Sequence, residues 1–274
     1  MADQKIIDIR RLASLLNDPD EAVAVSAMAE LLNRESELGD LPAELQENAS
    51  HLMRRRIHQL QSALTMIERR RFLAALLRKD DLDFIEALIQ IHLQWFDRDS
   101  ELSLHRRMSS FIHELEKYPR ESLADIGDAF AFCGVTASPV TTLKVEQYCL
   151  GSMLDDRCGA AALWCGIICG IFPDLDLSVI RFQGRFAVRD NARNEMLIPE
   201  NNWQTEIVPG GDLPEEWPLK NLLRLAVMTL FSAAVNSDSF RYILTLAQSF
   251  TGSDTAEPLG VLPYPYNPEI EPLS

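Results

Sequence analysis

All five histidines (His51, His58, His92, His105, His113) precede residue 114, and all five cysteines (Cys133, Cys149, Cys158, Cys165, Cys169) lie between 133 and 169. A thiol that acts as a nucleophile needs a base to take its proton. Any cysteine–histidine pair must therefore bridge these two stretches. Cys158 is the candidate nucleophile, because it stands just before an apolar run that begins at Ala160. Arg157 and Arg185 could favour its thiolate by charge, but a guanidinium stays protonated and cannot serve as the base. Cys165 and Cys169 fall one and two turns inside the apolar run, where burial raises a thiol pKa. They read as core residues in a reducing compartment, not as a disulfide framework. His92 lies in the most apolar helical stretch and reads as a hydrogen-bonded core histidine. His105 and His113 share a helix face two turns apart, too far for one metal ion. No zinc-type Cys/His spacing and no glycine-rich phosphate loop occurs, so neither metal nor cofactor is expected.

These residues belong to a chain of 274 residues with a formal charge of −15. Such a charge repels phosphate backbones and acidic membrane surfaces, so nucleic acid and membrane are poor partners. One basic island runs against it. From His51 to Lys79 there are eight Lys/Arg and one acid, Glu68. It reads as a solvated helix face paired with acidic neighbours, or as a docking surface for an acidic partner. The first twenty residues hold no apolar core of signal type, and the apolar run 159–172 is too short for a bilayer. A cytoplasmic location is expected.

The elements that must position the chemistry divide into an expected helical region (1–120), a core (121–250) and a proline-rich tail (251–274). Asn17-Asp18-Pro19-Asp20-Glu21 is a helix start, with Asp18 as cap and Pro19 at the first helical position. The phrase from Leu15 to Leu32 has the look of one HEAT-type unit. Helices follow over about 45–77, 81–96 and 102–116. Beyond Pro119 a polar loop (136–142) and a helix (143–155) lead to the apolar helix 160–172. Strand-like runs come next at 177–182, 185–189, 196–198 and 204–208, and two helices (219–236, 239–250) close the core. The pattern is α+β with a short antiparallel sheet. The tail holds Pro258, Pro263, Pro265, Pro268 and Pro272. It reads as an extended segment, packed on its own domain or docking through Tyr264-Pro265-Tyr266.

Gln147-Tyr148-Cys149-Leu150, Met153-Leu154, Arg157, Cys158-Gly159-Ala160-Ala161, Phe182-Gln183-Gly184-Arg185-Phe186 and Leu197-Ile198-Pro199-Glu200 follow one another in order. In this order they resemble a bacterial transglutaminase-like core family, with a papain-type core behind an N-terminal helical region. Leu15 to Asp20, Arg55-Arg56-Ile57, Asp83 to Ala87 and Asn221-Leu222 also resemble it. The resemblance implies a thiolate at the tip of the central helix, a histidine on a strand and a carboxylate to hold it. Here those positions carry Ala160-Ala161, Arg185 and Ile198-Pro199, so all three roles look vacant.

The expectation is a non-catalytic, transglutaminase-like pseudoenzyme that binds a protein or an acidic peptide, with Arg157, Arg181, Arg185 and Arg189 as candidate binding residues. The alternatives are a cysteine hydrolase or acyl transferase using Cys158 with a histidine from the helical region, and a helical-repeat scaffold.

Overall fold

The computed structural model describes residues 2–46, 49–79, 82–139, 144–209 and 214–251. The proline-rich tail beyond Thr251 lies outside them. The chain forms two compact units, residues 1–69 and 70–274.

The first unit is helical: α1 (Ala2–Ser14), α2 (Glu21–Asn33), α3 (Leu41–Gln46) and the first part of α4 (His51–Leu76). α2 does not begin as expected. Asp20, not Asp18, is the cap, and its carboxylate accepts from Ala22 N at 2.9 Å. Asp18 instead accepts from Asp20 N at 2.8 Å, so Pro19 lies ahead of the helix. Leu16, Leu31, Ile57 and Leu60 form the core of this unit. Arg56 is buried beside them and donates to Leu16 O (3.0 Å), Asp18 O (2.5 Å) and Glu21 Oε2 (2.7 Å). A buried guanidinium held this fully is a structural cross-brace. His51, Arg54, Arg55 and His58 recur at i, i+3, i+4 and i+7 and line an open groove of about 740 Å³.

The second unit begins inside α4, not near residue 120 as the sequence suggested. Phe84 shows why: it packs so tightly on the central helix that a Cβ on Gly166 would lie 2.2 Å from its ring. α5 (Phe84–Trp95), α6 (Glu101–Leu115) and α7 (Leu123–Phe132) therefore share one core with everything downstream. α5 is capped by Asp83 and buried over most of its surface, as its apolar composition predicts. α8 (Leu150–Asp156) and the central helix α9 (Ala161–Ile171) follow. Trp164 of α9 is fully buried, with Phe111 and Phe130 at 5.8 and 5.9 Å.

The polar stretch after Val135 is not simply a loop. β1 (Thr136–Ser138) pairs in parallel with β2 (Cys158–Ala160), directly ahead of α9. The main sheet comprises β3 (Leu177–Phe182), β4 (Arg185–Asp190), β5 (Glu195–Ile198), β6 (Gln204–Ile207) and β7 (Glu215–Glu216). It is antiparallel in the order β6-β5-β4-β3-β7. Side chains alternate across it. Val179, Phe186, Val188 and Leu197 join the helical core, while Ile180, Ala187, Met196 and Ile198 form a small second cluster with Val208 on the opposite face. α10 (Leu219–Asn236) and α11 (Phe240–Thr251) complete an α+β fold. No helix among the described residues is long and apolar enough to cross a membrane.

Candidate functional site

α8 ends at Arg157 in the left-handed conformation (φ 52°), which turns the chain into β2. Glycine usually fills this place. Thr136 N and Oγ1 both donate to Arg157 O, at 2.8 and 3.2 Å, and this anchors β1 beside β2. Cys158 thereby arrives half-buried next to Ser138 and the 3-10 turn Val145–Tyr148. Its Sγ lies 3.6 Å from Ser138 Oγ and 3.8 Å from Gln147 Nε2, and Gln147 Nε2 donates to Ser138 Oγ at 2.8 Å. Gly159 holds the next position because a Cβ there would meet Met153 at 2.5 Å and Trp164 Nε1 at 2.9 Å. Gln147 Oε1 and Trp164 Nε1 are both buried without a hydrogen-bond partner. The site thus holds a half-buried thiol and a hydroxyl at its edge, with an amide acceptor and an indole donor enclosed behind them.

What it lacks is a base on sulfur. Among the described residues, which include every histidine, the sulfur's hydrogen-bond partners are a hydroxyl and an amide. His92 is occupied elsewhere: Nδ1 accepts from Gly151 N at 3.3 Å and Nε2 lies 2.8 Å from Asp99 Oδ2. An acceptor at Nδ1 requires the proton on Nε2, so the ring donates to Asp99. Burial pulls the His92 pKa below 6.5, against the opposing pull of Asp99. His92 is a core histidine, as its apolar helix suggested. His58 lies by Gln46, His105 by Glu86 and Glu101, and His113 by Glu116. The tip of α9 is Ala160 and Ala161, both buried and without a nucleophile.

The other cysteines fit a core role. Burial raises the thiol pKa of Cys149, Cys165 and, with help from Glu114, Cys133. Cys169, also in α9, is pushed up to about 12 by burial. It lines a cavity of about 440 Å³ with Val179 and Trp217.

The four candidate arginines do not assemble into one cleft. Arg157 donates to Glu114 Oε2 at 2.5 Å and stacks on Phe111 at 4.7 Å, so it braces α6. Arg181 is opposite Phe186, whereas Arg185 is opposite Phe182 and Arg189 opposite Ser178. Strand alternation therefore puts Arg181 on the helix-facing side, where it lies 5.7 Å from the Trp217 ring, and the other two on the far side. Arg189 donates to Asn194 Oδ1 at 3.0 Å. Arg185 has a different neighbour. Burial raises the pKa of Glu200, and the charge of Arg185 opposes that rise. Glu200 belongs to the turn Pro199–Asn201, which packs against α9 and β1.

Three participants escaped the sequence reading. Ser138 had no signal, because the pairing of β1 with β2 joins segments twenty residues apart, and Gln147 was read only as part of the resemblance, not as a neighbour of the sulfur. Glu200 was one residue beyond the position that the resemblance pointed to. No family model matches the chain, and neither a curated protein nor a solved structure does.

Proposed function

We propose that this chain is a non-catalytic binding protein on a transglutaminase-like core, with its recognition surface around Cys158, Arg185 and Glu200. The observation that carries the reading is the environment of the sulfur: Ser138 and Gln147 stand where a cysteine enzyme needs an imidazole. Support for the core comes from its order of parts, a short strand feeding a buried central helix that packs on an antiparallel sheet. Arg185 and Glu200 stand near the places where the resemblance puts the histidine and its carboxylate. An arginine beside a carboxylate holds geometry and binds charge, but it moves no proton near neutrality.

The ligand class proposed is an acidic peptide of a partner protein, held through its carboxylates by Arg185. Isothermal titration of acidic peptides and small carboxylic acids tests this. Binding that falls at least tenfold in Arg185→Ala and persists in Arg181→Ala is the expected result. Binding indifferent to Arg185, or no binding across the panel, would remove the proposal.

A further inference from the structure

We propose that Glu86, Glu101 and His105 form a divalent transition-metal site that clips α5 to α6. Glu101 and His105 are four residues apart on α6 and so project side by side. Glu86 reaches them from α5. His105 Nε2 lies 3.3 Å from Glu86 Oε2 and 3.9 Å from Glu101 Oε1, and all three ligand atoms fall within 4.8 Å of one another. Ligands at about 2.0–2.1 Å around a tetrahedral ion are separated by roughly 3.3 Å. The closest pair already has that spacing, and the third atom needs only a small side-chain rotation.

Two further observations describe how the carboxylates are held. Glu86 and Glu101 are drawn together with no Lys or Arg ion pair to either among the described residues. Two carboxylates at this distance repel unless a positive charge lies between them, a place that a protonated His105 fills in the metal-free chain and a metal ion on His105 would fill in its stead. Glu86 is also already oriented, because Gln90 Nε2 donates to its Oε1 at 2.9 Å and Gln90 is almost fully buried. That bond leaves Oε2 to face His105. A buried amide that fixes a ligand carboxylate is the supporting contact that metal sites use.

One imidazole and two carboxylates, with water completing the shell, suit Zn²⁺ or a neighbouring first-row ion better than Mg²⁺. Binding replaces any proton on His105 Nε2 with the metal and releases that proton. The sequence could not show the site, because Glu86 is nineteen residues from His105 and meets it only through helix packing.

The test is titration of the metal-free full chain with ZnCl₂ alone, by calorimetry and by thermal unfolding. The expected result is one ion bound per chain and a raised Tm. His105→Ala and Glu101→Gln, both exposed positions, should each weaken binding at least tenfold without changing the Tm of the metal-free protein. His113→Ala should bind as the parent does. No uptake, or uptake unchanged in His105→Ala and Glu101→Gln, would overturn the site.

Discussion

At the scale of single residues, the proposed lack of thiol catalysis rests on protonation. Cys158 has a hydroxyl and an amide for company, and the buried histidine donates its Nε2–H in a hydrogen bond to Asp99. His92 has a consequence for stability. Its folded pKa is depressed, so the unfolded chain binds the proton more readily. Stability is therefore fully present above the unfolded pKa near 6.5 and falls as pH drops below it, levelling off below the folded pKa. Denaturant midpoints measured from pH 7.5 to 5 should decline, and the decline should be shallower in His92→Gln. A second expectation concerns the thiols. Cys149 and Cys165 should resist alkylation in the native protein and react only after unfolding, as peptide mapping would show. Modification of either at the rate of Cys158 would contradict their burial.

At the scale of elements, the tight joints are glycines against large rings. Gly166 on α9 accepts Phe84 of α5 so closely that Gly166→Ala forces a clash. Its cost should be about 1–3 kcal/mol in chemical denaturation. Phe84→Leu in the same background should recover part of the loss, because it removes the ring atoms that meet the new methyl. Most helices and the four longer strands were legible from their own patterns: the all-round apolar α5, the Ala/Gly-rich α9, and the strand alternation of 177–190. α7 was not read as a helix, and the helix expected over 143–155 is a 3-10 turn (Val145–Tyr148) followed by α8 from Leu150. What stayed hidden depends on partners distant in sequence. β1 is three residues with no apolar alternation and becomes a strand only by pairing with β2. The cap of α2 moved to Asp20 because two aspartates flank the proline and both can cap. The arginine cleft failed for a geometric reason: the spacing of Arg181 and Arg185, with three residues between them, does not reveal that a turn at Gln183-Gly184 reverses the strand and places them on opposite faces.

At the scale of the whole molecule, the charge of −15 works against compaction. Screening should relieve it. Tm should rise from low salt to about 0.3 M sodium chloride, where the Debye length is well under 10 Å. A fall would mean that attractive pairs such as Arg56–Glu21 and Arg157–Glu114 outweigh the net repulsion. The α+β class was readable from the order of helix and strand patterns. The division into units was not, because α4 is one continuous helix and only packing shows that the core of the second unit begins at Leu73.

The most direct test of a thiol without a base is turnover of an aryl ester and a γ-glutamyl amide, with intact mass recorded during the reaction. The expected result is no acyl adduct on Cys158 and a residual rate identical in the parent and in Cys158→Ser. An adduct that forms and clears on Cys158, lost in Cys158→Ser and in one histidine variant, would contradict the account.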